Sequence, residues 1–344
     1  MRYRLLGGSG LRVSELCLGT MTFGEEWGWG SSKDESRRVL DAFFEAGGNF
    51  IDTANVYTNG ASETLLGEFL KGDRDRVVLA TKYTNAMPGN DPNNAGNQRK
   101  NMMRAVEASL KRLQTDYIDL YWLHIWDRIT PLEEVMRAFD DLVRQGKILH
   151  AGVSDMAAWA VARANTLAEL RGWSPFVGLQ IEYSLLERTV ERELLPMAEA
   201  LKLGVTAWSP LAGGALTGKY VGNKAGADAR LNSEMMKEWQ RTDDQAHAVV
   251  AEVLAVAAEV GRSPAQVALA WLRHRPIPII PIIGARRLEQ VQDNLACLDV
   301  KLDESQLQRL NAVSRVPLGF PHEFYSLPMV KNLVYGGLGD SLDV

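Results

Sequence analysis

The chain has 344 residues, of which 46% are hydrophobic and 24% charged, a composition typical of a globular protein with a large core. Its formal net charge of -5 gives no basic field that would attract nucleic acid or an anionic membrane. The sequence shows neither a signal-peptide pattern nor a run of about 20 apolar residues that could span a bilayer, so we expect a cytoplasmic protein. Two widely separated cysteines, Cys17 and Cys297, predict neither a disulfide framework nor a thiolate metal site.

The first 14 residues predict a short β-hairpin that turns at Gly7–Gly10 and plugs one end of the fold. Short apolar runs then alternate with segments of helical period. Eight runs are predicted strands: 15–20, 49–54, 77–82, 118–124, 148–154, 176–183, 205–210 and 277–284. Helical patterns include 34–46, 63–71, 101–113, 132–144 and 246–275. Glycine closes four of the helical segments, at Gly47, Gly72, Gly146 and Gly204.

Strands that are apolar throughout, rather than alternating, indicate a parallel sheet covered on both faces. Eight successive β-then-α units predict a closed (β/α)8 TIM barrel forming a single domain over residues 1–344. An open doubly wound sheet is the alternative, but the segment LGTMTFGEEWGWG after the first strand lacks the G-x-G-x-x-G spacing. A long loop (212–245) after the seventh strand and a C-terminal tail (303–344) fall outside the repeat, and loops of this length are often functional lids.

Four ionisable residues stand at the ends of three adjacent predicted strands: Asp52, Tyr57, Lys82 and His124. Each alone has an ordinary structural reading, but reacting groups of barrel enzymes lie at these strand ends. A tyrosine is a poor proton donor at neutral pH, and a nearby ammonium such as that of Lys82 stabilises its phenolate. The set therefore suits a phenol that protonates a carbonyl oxygen, with Asp52 holding the lysine and His124 orienting the substrate oxygen or relaying a proton.

The sequence resembles the aldo-keto reductase superfamily over about residues 1–310, and most of all the branch of aryl-alcohol dehydrogenase-like enzymes and potassium channel beta subunits. The resemblance is carried by LGTMTFG, NFIDTANVY, SETLLGEFL, LATKY, DYIDLYWLH, GKILHAGVSD, LQIEYSLLER, AWSPLAGGALTGKY and GARRLEQVQDN. It implies that Asp52, Tyr57, Lys82 and His124 form a catalytic tetrad in which Tyr57 is the general acid.

The resemblance also implies a nicotinamide dinucleotide, with NADPH expected and NADH as the alternative. Its nicotinamide end is expected beside Asp52, at Gly19, Thr20, Met21, Ser154, Gln180 and Trp208. Its pyrophosphate is expected at Ser209, Pro210, Leu211, Gly213, Lys219 and Arg230. Its adenosine end is expected at Gly284, Arg286, Gln290 and Asn294, where a helix N-terminus and a guanidinium suit a ribose 2′-phosphate.

Two departures from the family pattern bear on the substrate. This chain has HIWDR where His-x-Pro-Asp is common, so Trp126 replaces a proline beside the active-site mouth, and Asp155 stands where asparagine or arginine is frequent. The residues predicted to contact the substrate are Trp27, Tyr57, His124 and Trp126.

The sequence thus predicts an NAD(P)H-dependent oxidoreductase that reversibly reduces a small aldehyde or ketone to an alcohol. One alternative is an NADPH-binding redox-sensing or regulatory subunit with little turnover. Another is a metal-dependent barrel, which is disfavoured because no His-x-His or carboxylate–histidine pair stands at a strand end. The oligomeric state stays open.

Overall fold

The computed structural model describes residues 1–220 and 243–342. It begins with an antiparallel hairpin of β1 (Tyr3–Leu5) and β2 (Arg12–Ser14), as the sequence predicts. The next eight strands are β3 (Cys17–Gly19), β4 (Phe50–Asp52), β5 (Val78–Tyr83), β6 (Ile118–Leu123), β7 (Ile148–Ser154), β8 (Phe176–Glu182), β9 (Gly204–Trp208) and β10 (Ile279–Gly284). All pair in parallel with their neighbours in chain order, and β10 closes on β3. The predicted (β/α)8 barrel is therefore confirmed.

The helices that follow these strands cover the outside of the barrel, and three more form the C-terminal tail. They are α1 (Lys33–Glu45), α2 (Ala61–Phe69), α3 (Arg99–Leu113), α4 (Leu132–Arg144), α5 (Ala158–Arg171), α6 (Leu194–Ala200), α7 (Asp244–Val260), α8 (Pro264–Arg273), α9 (Leu288–Leu295), α10 (Glu304–Val313), α11 (His322–Tyr325) and α12 (Pro328–Tyr335). In the described part of the chain, none of these helices has the length and apolarity required to cross a membrane.

The predicted continuous helix over 246–275 is wrong, because the segment contains two helices. Gly261 adopts the left-handed conformation, with φ of 63°, and ends α7. Ser263 then caps α8, since its hydroxyl accepts a hydrogen bond from the backbone N–H of Gln266 while the Gln266 side chain accepts one from the N–H of Ser263. Both helices continue the same apolar period, which is why the pattern alone joins them.

The hairpin closes the end of the barrel where the strands begin, because Gly7 packs against Gly204 at the start of β9. Leu6, at the hairpin turn, is fully buried in a cluster of barrel-lining side chains that includes Phe50 and Leu120. A Cβ on Gly204 would lie 2.6 Å from Cδ1 of Leu6. Gly204 is the first residue of β9, and its lack of a side chain leaves room for Leu6 of the hairpin. The prediction that Gly204 closes a helix is wrong. Gly47, Gly72 and Gly146 do have positive φ angles just after helices.

The long loop after β9 begins with a short 3-10 helix, Ala212–Thr217. Residues 221–242 of this loop, with the predicted phosphate ligand Arg230, lie outside the described residues.

Helix α10 is held against the barrel by hydrogen bonds from Arg188. The guanidinium of Arg188 donates to the Ser314 hydroxyl at 2.8 Å and to the Asn311 carbonyl at 3.0 Å.

The largest side chain in the cluster that fills the barrel interior is an indole. Trp122 on β6 is fully buried and lies against Gly152 on β7 and Gly178 on β8. A Cβ at Gly152 would lie 2.3 Å from Cε3 of Trp122, and one at Gly178 would lie 2.9 Å from Cη2. Both glycines are thus needed for the space that the indole occupies, because a closely packed core cannot absorb such overlaps without shifting.

We expect Gly152→Ala to lower the free energy of unfolding by about 1–3 kcal/mol, because the added methyl overpacks the barrel interior. The matched control is Gly10→Ala, since a Cβ there meets no atom within 4 Å. Urea unfolding of both variants is the measurement. Equal stability of Gly152→Ala and the wild type would contradict this account of the interior.

Candidate active site

The centre of the site is the ammonium group of Lys82, which is fully buried where β5 ends. It donates to Oδ2 of Asp52 at 2.5 Å, to the carbonyl oxygen of Thr53 at 2.8 Å and to the hydroxyl of Tyr57 at 2.9 Å. An ammonium has three hydrogens to donate, so these three acceptors satisfy it completely. The structure therefore brings together three of the four predicted catalytic residues by direct contact.

The barrel register explains why Asp52 and Lys82 meet. Asp52 lies opposite Ala80 on the neighbouring strand β5, and Lys82 follows two residues later on the same inward-facing side. Burial alone would lower the pKa of Lys82, but the charge of Asp52 and then the phenol of Tyr57 outweigh it and raise that pKa above its ordinary value. The lysine therefore carries its positive charge inside the barrel.

Tyr57 is held in place by an unusual backbone segment. It opens a short 3-10 helix, Tyr57–Gly60, in which Thr58 and Asn59 have φ angles of 45° and 54°. Such angles are costly for a β-branched residue, and they persist only where the surroundings hold them. Here the Thr58 hydroxyl donates to the carbonyl of Phe23 at 2.6 Å and accepts from the N–H of Ser62 at 3.1 Å. Tyr57 is thereby fixed toward Lys82.

His124 follows β6 and completes the predicted tetrad. Its ring stands edge-on to that of Tyr57, with the ring centroids 5.9 Å apart. Burial, and then the nearby charge of Lys82, lowers the pKa of His124 well below its ordinary value. The imidazole is therefore neutral near pH 7, with one nitrogen that donates and one that accepts.

Two residues predicted to bind cofactor also brace Asp52. Gln180, from the far side of the barrel, donates its side-chain N–H to Oδ1 of Asp52 at 3.1 Å. The Thr20 hydroxyl donates to the Asp52 carbonyl at 3.1 Å. Gln180 lines the cavity described below, whereas Thr20 is fully buried behind its wall, so the predicted cofactor contact of Thr20 is not supported.

A cavity of about 640 Å³ opens above the tetrad and extends to the N-terminus of α9, a size typical of ligand sites. The predicted site residues that line it are Gly19, Met21, Trp27, Asp52, Tyr57, His124, Ser154, Gln180, Trp208, Ser209, Pro210, Leu211, Gly213, Lys219, Gly284, Arg286, Gln290 and Asn294. Lys82 reaches this cavity through its bond to Tyr57. Residues from nearly every strand end thus converge on one space.

Trp126 does not belong to this lining, so its predicted substrate contact is not supported. Its ring packs edge-on against Trp159, with centroids 5.5 Å apart, and against the main apolar core. The neighbouring Ile125 lines the cavity instead. Trp27 does face the site, because its ring lies 6.4 Å from that of Tyr57.

The nicotinamide end of the predicted cofactor site contains a buried hydroxyl that fits a polar ligand. Ser154 is 1% exposed and lines the cavity, and its hydroxyl also interacts with the side chain of the neighbouring Asp155. A hydroxyl that faces a cavity can also pair with a polar group of a ligand. Beside it, Trp208 donates its indole N–H to Oδ1 of Asp155 at 3.1 Å, an interaction that the sequence did not reveal.

The far end of the cavity has the features of a phosphate and adenosine site. Gly213 and Gly214 both adopt positive φ angles, and the side chain of Lys219 lies against Gly214. The backbone N–H of Gly213 donates to the Ser209 hydroxyl at 3.1 Å and that of Gly214 donates to the Leu211 carbonyl at 2.9 Å, so the group here that suits a pyrophosphate is the Lys219 ammonium. Arg286 donates to the Trp29 carbonyl at 3.3 Å, and its backbone N–H donates to the Gln290 side chain at 2.8 Å. The residues present therefore fit a dinucleotide.

Several residues that line the cavity were not predicted from the sequence. They are Thr22, Val56, Asn85, Ile125, Gly214, Thr217, Ala265, Ile282, Ile283, Ala285 and Asp293. Asp155, the departure from the family pattern noted above, also lines the cavity. Asn85 had a readable signal, since it stands three residues after Lys82 at a strand end. Most of the others are apolar or small and carry no chemical signature.

Comparison with known proteins agrees with this geometry. The model of the Aldo/keto reductase family matches residues 15–315. An uncharacterized oxidoreductase of Bacillus subtilis, YrpG, is 40% identical over 95% of this chain and 100% of its own. A norsolorinic acid reductase of Aspergillus flavus is 37% identical over 94% of this chain and 83% of its own. An aryl-alcohol dehydrogenase [NADP(+)] of Phanerodontia chrysosporium is 36% identical over 98% of this chain and 92% of its own. The chain therefore belongs to the aldo/keto reductase family and is an oxidoreductase.

Proposed function

We propose that this protein reduces an aldehyde or ketone to the corresponding alcohol with NADPH, and that Tyr57 is the general acid. The observation that carries the proposal is the buried Lys82 ammonium, which joins the Asp52 carboxylate to the Tyr57 hydroxyl at the base of the cavity. Family membership and the names of the reductase and dehydrogenase relatives support carbonyl chemistry and a nicotinamide cofactor.

The proton path follows from the contacts. A bound nicotinamide cofactor would supply the hydride that the carbonyl carbon accepts. As negative charge develops on the carbonyl oxygen, Tyr57 donates its phenolic proton to that oxygen. Lys82 stabilises the phenolate that remains, because its N–H already points at the Tyr57 oxygen at 2.9 Å. Asp52 keeps the ammonium charged and oriented throughout.

The cofactor is assigned from the two ends of the cavity. Ser154 and Trp208 would bind the nicotinamide, by a hydrogen bond to its carboxamide and by stacking on its ring. At the other end, the Arg286 guanidinium lies beside the N-terminus of α9. The first N–H group of α9, that of Leu288, is paired with the Glu35 carboxylate at 2.6 Å, so the positive charge of Arg286 is what favours a phosphate here. This arrangement supports NADPH rather than NADH, because only NADPH carries a phosphate on the 2′-oxygen of its adenosine ribose.

The substrate pocket favours an aromatic carbonyl. Trp27 lines the cavity, the ring of Trp29 packs against it with centroids 5.6 Å apart, and Ile125 adds an apolar wall. Such rings contact a flat apolar substrate over a large area. The names of two relatives, an aryl-alcohol dehydrogenase and a norsolorinic acid reductase, also support an aromatic substrate. Aromatic aldehydes are therefore the first substrates to test.

We expect Tyr57→Phe to lower carbonyl reduction by about 10²–10⁴-fold, because the proton donor is removed. Affinity for NADPH should change little, as no cofactor contact is assigned to the hydroxyl. Loss of NADPH absorbance with a panel of aldehydes gives the rate, and fluorescence titration gives the affinity. If the wild type reduces no carbonyl on the panel while binding NADPH tightly, the regulatory alternative gains support and this proposal fails.

We expect Arg286→Ala to weaken NADPH binding by about tenfold to a hundredfold, the usual loss for a charge-assisted hydrogen bond. Binding of NADH should change much less. Arg287→Ala is the control, because this neighbouring side chain is exposed and outside the cavity lining. Equal weakening of both cofactors by Arg286→Ala would remove the 2′-phosphate assignment.

The neutral state of His124 predicts a pH dependence of stability. The pKa of His124 is lowered in the folded state, so the unfolded chain binds the proton first as the pH falls. Stability from this source is complete above the unfolded pKa of about 6.5 and is lost as the pH falls below it. Between about pH 7.5 and about pH 5.5, the wild type should lose about 1 kcal/mol more than His124→Gln in urea unfolding. Equal losses of unfolding free energy in the wild type and in His124→Gln would show that His124 is protonated in the folded protein.

A further inference from the structure

Resting on the proposed function, we propose that Asn85 is a positioning residue that fixes His124 in the tautomer carrying its hydrogen on Nε2. His124 would then present an N–H donor, rather than a lone pair, to the substrate oxygen. Asn85 stands just after β5 and lines the same cavity as His124.

The contact that carries the inference joins the two side chains directly. The amide nitrogen Nδ2 of Asn85 lies 3.3 Å from Nδ1 of His124. Within the described residues, this is the hydrogen bond that the imidazole ring makes. With the amide nitrogen of Asn85 facing the ring, the NH₂ group donates and Nδ1 of His124 accepts. A neutral imidazole with an accepting Nδ1 carries its hydrogen on Nε2.

The charge state of the ring supports this reading, because a tautomer exists only for a neutral imidazole. Burial and the Lys82 ammonium both disfavour imidazolium and lower the pKa of His124. The other titratable group packed on the ring is Tyr57, whose hydroxyl is engaged by Lys82. Neither group supplies a hydrogen bond that would set the tautomer in place of Asn85.

The backbone around Asn85 is built to hold this contact. Thr84 has a φ of 103°, a conformation that a β-branched residue adopts only when its surroundings fix it. Its hydroxyl accepts hydrogen bonds from the backbone N–H of His124 at 3.2 Å and from the Asn97 amide at 3.0 Å. The Asn97 amide also donates to the Ile125 carbonyl at 2.9 Å. The ends of β5 and β6 are thereby cross-linked, which keeps Asn85 opposite the ring.

The tautomer of His124 determines whether Nε2 presents an N–H donor or a lone pair to the substrate oxygen. A carbonyl oxygen beside Tyr57 gains negative charge during reduction, and a second donor stabilises that charge. The opposite tautomer would place the Nε2 lone pair toward the oxygen and repel it. Asn85 therefore acts through His124 and need not touch the substrate.

The test is ¹⁵N NMR of the histidine side chains in the free protein, with the His124 signals assigned by their loss in His124→Gln. We expect an unprotonated Nδ1 and a protonated Nε2 in the wild type. Asn85→Asp replaces the donor by an acceptor of the same shape, so Nδ1 should become protonated. A wild type with protonated Nδ1 would overturn the proposal, and so would an Asn85→Asp variant in which the ring is unchanged.

Kinetics give the second measurement. Asn85→Asp should lower kcat by about tenfold or more while the Kd for NADPH stays within about twofold, since the lost donor acts on the reacting oxygen. Asn90→Asp is the matched control, because Asn90 is exposed on the same loop and undergoes the same chemical change. A normal kcat in Asn85→Asp with a reversed tautomer would refute the catalytic consequence. The NMR result needs no turnover, so failure of the proposed function would be recognised separately.

Discussion

A fully buried ammonium is the constraint on which this structure depends. Removing the Lys82 charge from water is costly, and the cost is offset only if an anion and enough acceptors surround it. The barrel provides the Asp52 carboxylate, the Thr53 carbonyl and the Tyr57 hydroxyl at hydrogen-bonding distance. The same three hydrogen bonds that offset the cost of burying the Lys82 charge also orient its ammonium group toward the Tyr57 hydroxyl. Stability and the proposed chemistry thus draw on one arrangement.

The rest of the fold serves to keep that arrangement at the base of an open cavity. Gln180 braces Asp52 from the opposite wall, so the carboxylate is held on both oxygens. Trp122 belongs to the cluster that packs the interior below it, and the N-terminal hairpin closes the far end. The cavity lies where the carboxyl ends of the strands converge, the place where barrel enzymes carry their active sites.

Much of this could be predicted from sequence, because apolar runs give the strands and parallel strands bring their ends together. The convergence of Asp52, Tyr57, Lys82 and His124 at one end of the barrel could therefore be predicted, and their catalytic roles stay predictions. The hydrogen bond from Gln180 to Asp52 could not be predicted from the sequence, because it joins residues 128 positions apart and depends on the barrel radius. The sequence also could not predict that Ile125 rather than Trp126 lines the cavity, because beyond a strand end the inward–outward alternation no longer determines which of two neighbours faces inward. The Thr84 turn, with its positive φ, has no sequence signal at all.

The central claim is that the charge on Lys82 enables proton donation by Tyr57. Single-turnover hydride transfer from NADPH to an aromatic aldehyde tests it most directly, in a chain carrying Lys82→Met together with Asp52→Asn so that no buried carboxylate is left unpaired. The account predicts transfer slower by about a hundredfold or more, with NADPH affinity changed by no more than a few-fold. Transfer at the wild-type rate would contradict it.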